Sequence, residues 1–332
     1  MSELHKFIFD GMAVRGMLVR LTDGWQEVIA RRAGSGEPFP APVRALLGEM
    51  AAAGVLMQGN IRFDGALVLQ IFGDGPVKLA VAEVQSDLAF RATAKVVTPG
   101  AIEASGAMPL DTLVNVRGHG RCAITLDPKN KRPGQQAYQG VVALHGDRRE
   151  PLHKLSEVLE HYMLQSEQLD TRLILAADDT VAAGLLIQRL PVAGERNLER
   201  GGERSAADED QIGRNEDFNR IAHLAATLTR DELLQLAPDT LLRRLFWEEP
   251  LRRFPTLSGD DGPRFACSCS RSRVGNMLKS LGRAEVDGIV AEQGRVEIGC
   301  DFCGLKYHFD PVDVGELFTP VRDQPPGSSA TH

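Results

Sequence analysis

Ala66-Leu67-Val68-Leu69-Gln70-Ile71-Phe72-Gly73-Asp74-Gly75-Pro76-Val77-Lys78-Leu79-Ala80-Val81-Ala82-Glu83-Val84 is the stretch whose reading sets the fold class. Leu67, Leu69 and Ile71 alternate with their neighbours, and so do Val77, Leu79 and Val81. A period of two puts each set on one side of a strand. Gly73-Asp74-Gly75-Pro76 between them is a strong turn signal. The stretch therefore predicts a hairpin with one buried face, carried by the two alternating sets.

Outward from this hairpin, further strands are expected over Arg121–Leu126, Tyr138–Leu144, Leu173–Ala177 and Ala183–Leu190. Upstream, Val28–Leu56 reads as mostly helix, broken at Gly34–Pro38. Ala41, Ala45, Leu46, Met50 and Ala53 recur there at helical spacing, with Pro40 and Pro42 near the start. A helix over Pro151–Met163 carries the stripe Leu152, Leu155, Val158, Leu159 and Tyr162. The first residues form a short helical or extended piece. Strands outnumber helices and do not alternate regularly with them, which predicts an α+β fold rather than a doubly wound sheet.

The chain has 332 residues, enough for two or three domains. Its formal net charge is -7, which argues against a general nucleic-acid binder. No run of about eighteen apolar residues is present. Met1–Asp10 has no apolar segment behind a basic start, so no secretory signal is seen and a cytoplasmic location is expected. Four of the five cysteines lie in the last fifth of the chain, which in a reducing compartment favours a metal or redox site over a disulfide scaffold.

These patterns predict an N-terminal β-sheet domain with packed helices at 1–192, a charged loop and helical linker at 193–263, a small zinc-binding domain at 264–321 and a disordered tail at 322–332. Glu195–Asp217 holds four arginines and eight acids and reads as a solvated loop. Thr229-Arg230-Asp231-Glu232 has the form of a capping box, and Leu228 with Leu233 that of a hydrophobic staple. A helix beginning near Asp239 carries Leu241, Leu242, Leu245 and Phe246.

Cys267-Ser268-Cys269 and Cys300-Asp301-Phe302-Cys303 are separated by thirty residues. Two such pairs can converge into a tetrahedral four-thiolate zinc site. Gly304, directly after Cys303, can take the positive φ that turns backbone N–H groups toward the sulfurs. Arg295–Ile298 and Leu305–Phe309 are expected to flank this knuckle as a hairpin, with Val296, Ile298, Leu305, Tyr307 and Phe309 as its core. Val274, Met277, Leu278 and Leu281 make one helical stripe between the pairs, and Val286, Ile289 and Val290 another. Four-cysteine chemistry by itself favours a permanent structural zinc. The Cys-x-Cys pair leans toward a switch, because its two sulfurs could join only in a strained and therefore reducible bond. A domain of this size depends on its metal, so oxidation of the ligands would unfold it.

Together with the cysteine spacing, Ala13-Val14-Arg15-Gly16, Phe63-Asp64-Gly65, Gly73-Asp74-Gly75-Pro76, Tyr138-Gln139-Gly140-Val141-Val142, Ser166-Glu167-Gln168-Leu169 and Thr171-Arg172 make the chain resemble the bacterial 33-kDa redox-regulated heat-shock chaperone family. Leu233-Leu234, Glu248-Glu249 and Ala291-Glu292 agree, in order along nearly the whole chain. The resemblance implies an ATP-independent holdase and no enzyme. It implies one Zn2+ held by Cys267, Cys269, Cys300 and Cys303 in an inactive reduced state. It further implies that oxidation joins Cys267 to Cys269 and Cys300 to Cys303, frees the metal, unfolds the linker and exposes apolar surface. The partners so implied are unfolded or oxidatively damaged proteins and, in the oxidised state, a second copy of the chain. The client surface is not assigned by sequence, although the Leu241–Phe246 face is a candidate. Glu195–Glu216 departs from the family pattern as an insertion.

Other residues read more simply. Cys122, in an apolar strand, is expected to be a small buried hydrophobe. His308 lies close enough to the knuckle to replace a ligand, but four cysteines already complete the set. His119 reads as a turn residue, and His153 and His161 as part of a solvated helix face. Two other functions are open to the residues alone. A zinc ribbon binding RNA or protein would draw on Arg271, Arg273, Lys279 and Arg283; a catalytic zinc enzyme would need an open coordination position, which four cysteines close.

Overall fold

The computed structural model describes residues 1–97, 100, 102, 108–131, 134–190 and 213–319. Most of the charged 195–217 loop and the 322–332 tail lie outside the described residues. The chain divides into two compact units, Met1–Ala266 and Cys267–His332.

The hairpin is formed by β3 (Gly65–Phe72) and β4 (Val77–Gln85), in antiparallel register with Leu67 opposite Val84 and Ile71 opposite Ala80. Gly73 is required at the turn, since a Cβ there would lie 2.1 Å from the carbonyl oxygen of Val77. In β3 the alternation holds, and Leu67, Leu69 and Ile71 are all buried in the core. In β4 it changes phase. A bulge between Val77 and Leu79 shifts the register, so the core takes Val77 and then Ala80, Ala82 and Val84, leaving out Leu79 and Val81. One irregular residue moves every later side chain to the opposite face.

The first unit holds two sheets. One runs β10 (Leu251–Arg253), β1 (Glu3–Phe9), β2 (Val14–Leu21), β9 (Ala182–Arg189), β8 (Thr171–Ala177), with β11 (Leu257–Ser258) also on β1. The other runs β12 (Arg264–Phe265), β5 (Ala89–Val96), β4, β3, β6 (Arg121–Pro128), β7 (Tyr138–Ala143). Helices α1 (Asp23–Gly34), α3 (Leu110–Val114) and α4 (Leu155–Glu167) complete this layer. The fourth helix begins later than Pro151 because Glu157 accepts the N–H groups of His153 and Lys154, fixing Lys154 as the cap.

Between the sheets runs α2 (Ala41–Asn60), touching β3, β4 and β5 on one side and β2, β8 and β9 on the other. Fourteen of its residues are buried, and a short stripe near its start, with Arg44 and Glu49, stays partly exposed, as suits a helix largely surrounded by core. Its final carbonyls are met by cations from the first sheet: Lys6 Nζ donates to Gly59 O at 2.7 Å, and Arg15 Nη1 to Asn60 O at 3.5 Å. Positive charge at that end also suits the helix dipole.

The outer face of the first sheet is covered by α5 (Glu216–Ala226), α6 (Arg230–Gln235) and α7 (Pro238–Phe246). Phe7, Phe9, Val14, Leu18, Leu185 and Ile187 of the sheet share a second core with Ile221, Leu241, Leu245 and Phe246. Strand β9 is consequently buried at every position. The expected capping box forms: Thr229 Oγ1 accepts from Glu232 N, and Glu232 Oε2 from Thr229 N at 3.0 Å, with Leu228 and Leu233 both buried beside it. Arg230 Nη2 donates to Ala177 O at 2.6 Å, tying α6 to the end of β8.

The second unit contains α8 (Arg271–Leu281), α9 (Arg283–Gln293), the hairpin β13 (Val296–Gly299) and β14 (Lys306–Phe309), and α10 (Pro311–Phe318). Its core is small: Leu278, Val286, Val296, Phe309 and Val314. The first helical stripe is corrected here, because Met277 is 44% exposed and Leu281 54% exposed, and only Leu278 of the four is fully buried. So few residues cannot enclose a whole stripe. Among the described residues no helix is long and apolar enough to cross a membrane.

Candidate metal centre

Two short segments supply the four cysteines. Cys267 and Cys269 lie in the extended chain between β12 and α8, and Cys300 and Cys303 in the turn joining β13 to β14. All four Sγ atoms lie within 4.8 Å of one another. Cys267 Sγ is 3.6 Å from Cys300 Sγ, and Cys269 Sγ is 3.3 Å from Cys303 Sγ. Four sulfurs about 2.3 Å from a common centre would be about 3.8 Å apart, so the cluster has the size of a tetrahedral thiolate cage. These two contacts run between the pairs while all four sulfurs lie together, so geometry alone does not choose which sulfurs would join on oxidation.

The turn is built to aim N–H groups at sulfur. Gly304 has φ 70, in the left-handed region, and its N–H donates to Cys300 O at 2.8 Å. Cys300 N–H closes the hairpin on Leu305 O at 2.9 Å. The Cys300 sulfur accepts from the backbone of Cys303 and Phe302, and the Cys303 sulfur from that of Leu305. Tyr307 Oη donates to Cys269 Sγ at 3.2 Å.

Burial pushes the thiols of Cys300 and Cys303 up, although these backbone donors oppose it. The hydrogen bond to Cys269 pushes the Tyr307 phenol up to about 12. Three half-buried sulfurs and the buried sulfur of Cys303 form a donor set suited to a divalent cation, whose charge would favour the thiolate form of each ligand. The cluster could therefore hold a metal ion.

His308 is not brought into the cluster; it faces Glu297, with Nδ1 3.3 Å from Oε2. The basic residues of this unit are largely engaged internally. Arg271 donates to His308 O, pairs with Asp313 at 2.7 Å and stacks over Phe309 at 4.3 Å. Arg273 holds Ser268 through both its carbonyl and its hydroxyl oxygen, bracing the Cys-x-Cys segment, and Arg283 pairs with Asp287. Sequence reading missed the parts played by Arg273 and Tyr307. For Tyr307 the signal was strand alternation, which sets it opposite Ile298 with its neighbours Lys306 and His308 on the other face.

Elsewhere, Cys122 is fully buried in β6, and burial pushes its thiol up to about 12, as suits a core residue. His119 sits in a loop whose N–H groups, with that of Arg117, are held by the Asp74 carboxylate at 2.9–3.2 Å.

A profile of the family described as Hsp33 protein matches residues 2–310. The chain belongs to the Hsp33 family. Relatives of this family member include the 33 kDa chaperonin of Chromobacterium violaceum, 43% identical over 317 residues, 96% of this chain and 94% of that protein. The 33 kDa chaperonin of Methylobacillus flagellatus is 40% identical over 332 residues, 100% of this chain and 99% of that one. The crystal structure of the Thermotoga maritima 33 kDa chaperonin, a heat shock protein 33 homolog, superposes with a TM-score of 0.66 over 95% of this chain and 97% of that one. At 20% sequence identity it shows the Hsp33 fold alone. Hsp33 is a chaperone family, and its solved fold agrees with the α+β architecture expected from the sequence.

Proposed function

We propose that this Hsp33 chain is a cytoplasmic, ATP-independent holdase switched by thiol oxidation. The observation that carries the reading is the convergence of Cys267, Cys269, Cys300 and Cys303 in a unit whose described residues form a buried apolar core of five side chains. Such a core supplies little stability by itself, so the sulfur cluster is the main fastening.

In the reduced state the four thiolates hold one zinc ion. When bound, zinc keeps the sulfurs deprotonated and links the Cys-x-Cys segment to the knuckle. An oxidant such as a peroxide takes two electrons for each disulfide formed, and two disulfides leave no thiolate to bind metal. The pairing Cys267–Cys269 and Cys300–Cys303 follows from the family resemblance. With its fastening gone, the second unit unfolds.

The chain from Leu251 to Phe265 adds β10 and β11 to the first sheet and β12 to the second, then runs directly into Cys267. Melting that spreads back along this segment would loosen α5–α7. The apolar faces centred on Phe7, Phe9, Leu241, Leu245 and Phe246 would then be free to hold unfolding clients and to meet a second copy of the chain. On this reading 1–192 is the client and dimer domain, 193–263 the responsive linker and 264–321 the switch.

The test follows zinc content, disulfide formation and suppression of aggregation of a thermally unfolding client, before and after hydrogen peroxide at raised temperature. Metal loss, two disulfides and a gain of holdase activity together support the switch. Retained zinc, or metal loss with no gain in activity, would leave a purely structural site and overturn it.

A further inference from the structure

We infer that Tyr307 is a positioning residue of the redox centre, whose hydroxyl, donated to Cys269 Sγ at 3.2 Å, restrains that sulfur against oxidants. The inference rests on the thiol-switch reading above and names the part of it that a single side chain controls.

Three observations lead to it. The first is origin. Cys300 and Cys303 receive N–H donors from the main chain of their own turn, at Phe302, Cys303 and Leu305. Those donors come with the knuckle, whatever its side chains. The donor to Cys269 is a side chain, and it comes from the hairpin that carries the other pair of sulfurs. The hydroxyl therefore spans the two halves of the cluster independently of any metal.

The second is orientation. Strand alternation turns Lys306 and His308 to the face of Glu297, with Lys306 Nζ 2.7 Å and His308 Nδ1 3.3 Å from its carboxylate. Tyr307, between them, points the other way and packs its ring against the small core. The ring is placed by packing, and the oxygen at its tip meets sulfur.

The third is chemistry. A phenol O–H donated to a thiolate draws charge from the sulfur, which lowers its nucleophilicity and steadies it as a ligand. In oxidation by peroxide, the Cys269 thiolate attacks one peroxide oxygen and the O–O bond breaks. Hydroxide leaves and a sulfenic acid forms. The Cys267 thiolate then attacks the Cys269 sulfur, expels a second hydroxide and closes the S–S bond, so two electrons pass from the sulfurs to the peroxide. The first of these attacks is the one the Tyr307 hydroxyl slows.

The experiment compares the full-length protein with Tyr307→Phe and with His308→Gln, a control on the opposite face of the same strand. Three quantities are read: zinc affinity by chelator competition, the charge-transfer bands of the Co2+-loaded protein, and the peroxide oxidation rate of each cysteine by differential alkylation and mass spectrometry. Tyr307→Phe is expected to weaken zinc binding about 10-fold. It should also move the sulfur-to-cobalt bands to longer wavelength and speed oxidation of Cys269 several-fold, with Cys303 unchanged. His308→Gln should leave all three at wild-type values. Should Tyr307→Phe fail to fold, 3-fluorotyrosine at position 307, a stronger donor of the same shape, is expected to slow Cys269 and shift the bands the opposite way.

Wild-type bands and rates in Tyr307→Phe would overturn the inference. An equal acceleration at all four cysteines would also overturn it, since that marks lost packing rather than a lost hydrogen bond. If the wild-type protein gains no holdase activity on oxidation, the switch reading fails, while the cobalt spectrum still decides whether Tyr307 acts on Cys269.

Discussion

The ring of Phe246 in α7 stands edge-on to that of Phe9 in β1, with centroids 5.1 Å apart and planes at 85°. Phe7 approaches the same ring at 6.2 Å. This aromatic contact fastens α7 to the outer face of the first sheet. Truncating a buried phenylalanine costs about 3–5 kcal/mol, and placing a charge there costs more. Leu245→Glu with Phe246→Asp is therefore expected to free the helix and give holdase activity without oxidation. Client light scattering under fully reducing conditions checks this, and an inactive reduced variant would refute the latch.

Metal removal should act on one unit first. Stripping zinc from the reduced protein with a chelator is expected to abolish amide-exchange protection in α8–α10, because the core of Leu278, Val286, Val296, Phe309 and Val314 cannot hold them alone. Protection in β3 and β4 should persist, since their core includes none of the four clustered cysteines. Hydrogen exchange with peptide resolution distinguishes the two outcomes.

Disulfide mapping after peroxide treatment is expected to return Cys267–Cys269 and Cys300–Cys303. The sulfur contacts between the pairs, Cys267 to Cys300 at 3.6 Å and Cys269 to Cys303 at 3.3 Å, offer the alternative. Predominance of those crossed bonds would keep the two segments linked after oxidation and remove the reason for the unit to unfold. Cys122, buried in the core, should remain a thiol throughout.

Acid and base should also be felt far from sulfur. Burial raises the Glu49 carboxyl to about 7, only partly offset by Arg230 and Lys154. In the unfolded chain the same group ionises near 4.5. Its contribution to stability is thus fully present below that value and is lost as pH rises toward 7, since the unfolded state releases its proton first. Glu49→Gln is expected to flatten that part of the stability profile. Urea titrations of both proteins from pH 4.5 to 7.5 test it, and parallel profiles would show that Glu49 is not the group responsible.

Where chemistry is local, the sequence was a good guide. The 66–84 hairpin, the capping box at Thr229 and the convergence of four cysteines follow from turn residues, spacing and ligand type. What escaped was set by tertiary contacts. The phase change in β4 follows from a bulge that no residue type announces. The hairpin of β1 and β2 escaped because several of its strand positions are buried on both faces, which blurs alternation. Strands β10, β11 and β12 are two or three residues long and exist only because a longer strand lies beside them. At the cysteines, the donors to sulfur come from backbone geometry and from one tyrosine that also reads as ordinary core.

A helix buried along most of its length cannot leave its sheath without dissolving the whole assembly. With α2 clasped between two sheets, and its last carbonyls gripped by Lys6 and Arg15, the inner part of the first unit behaves as a keel. If the proposed switch strips the planking of α5–α7 from one side, the keel would keep its line, and a chain opened by heat or oxidant would retain a template on which the same helices can be laid again.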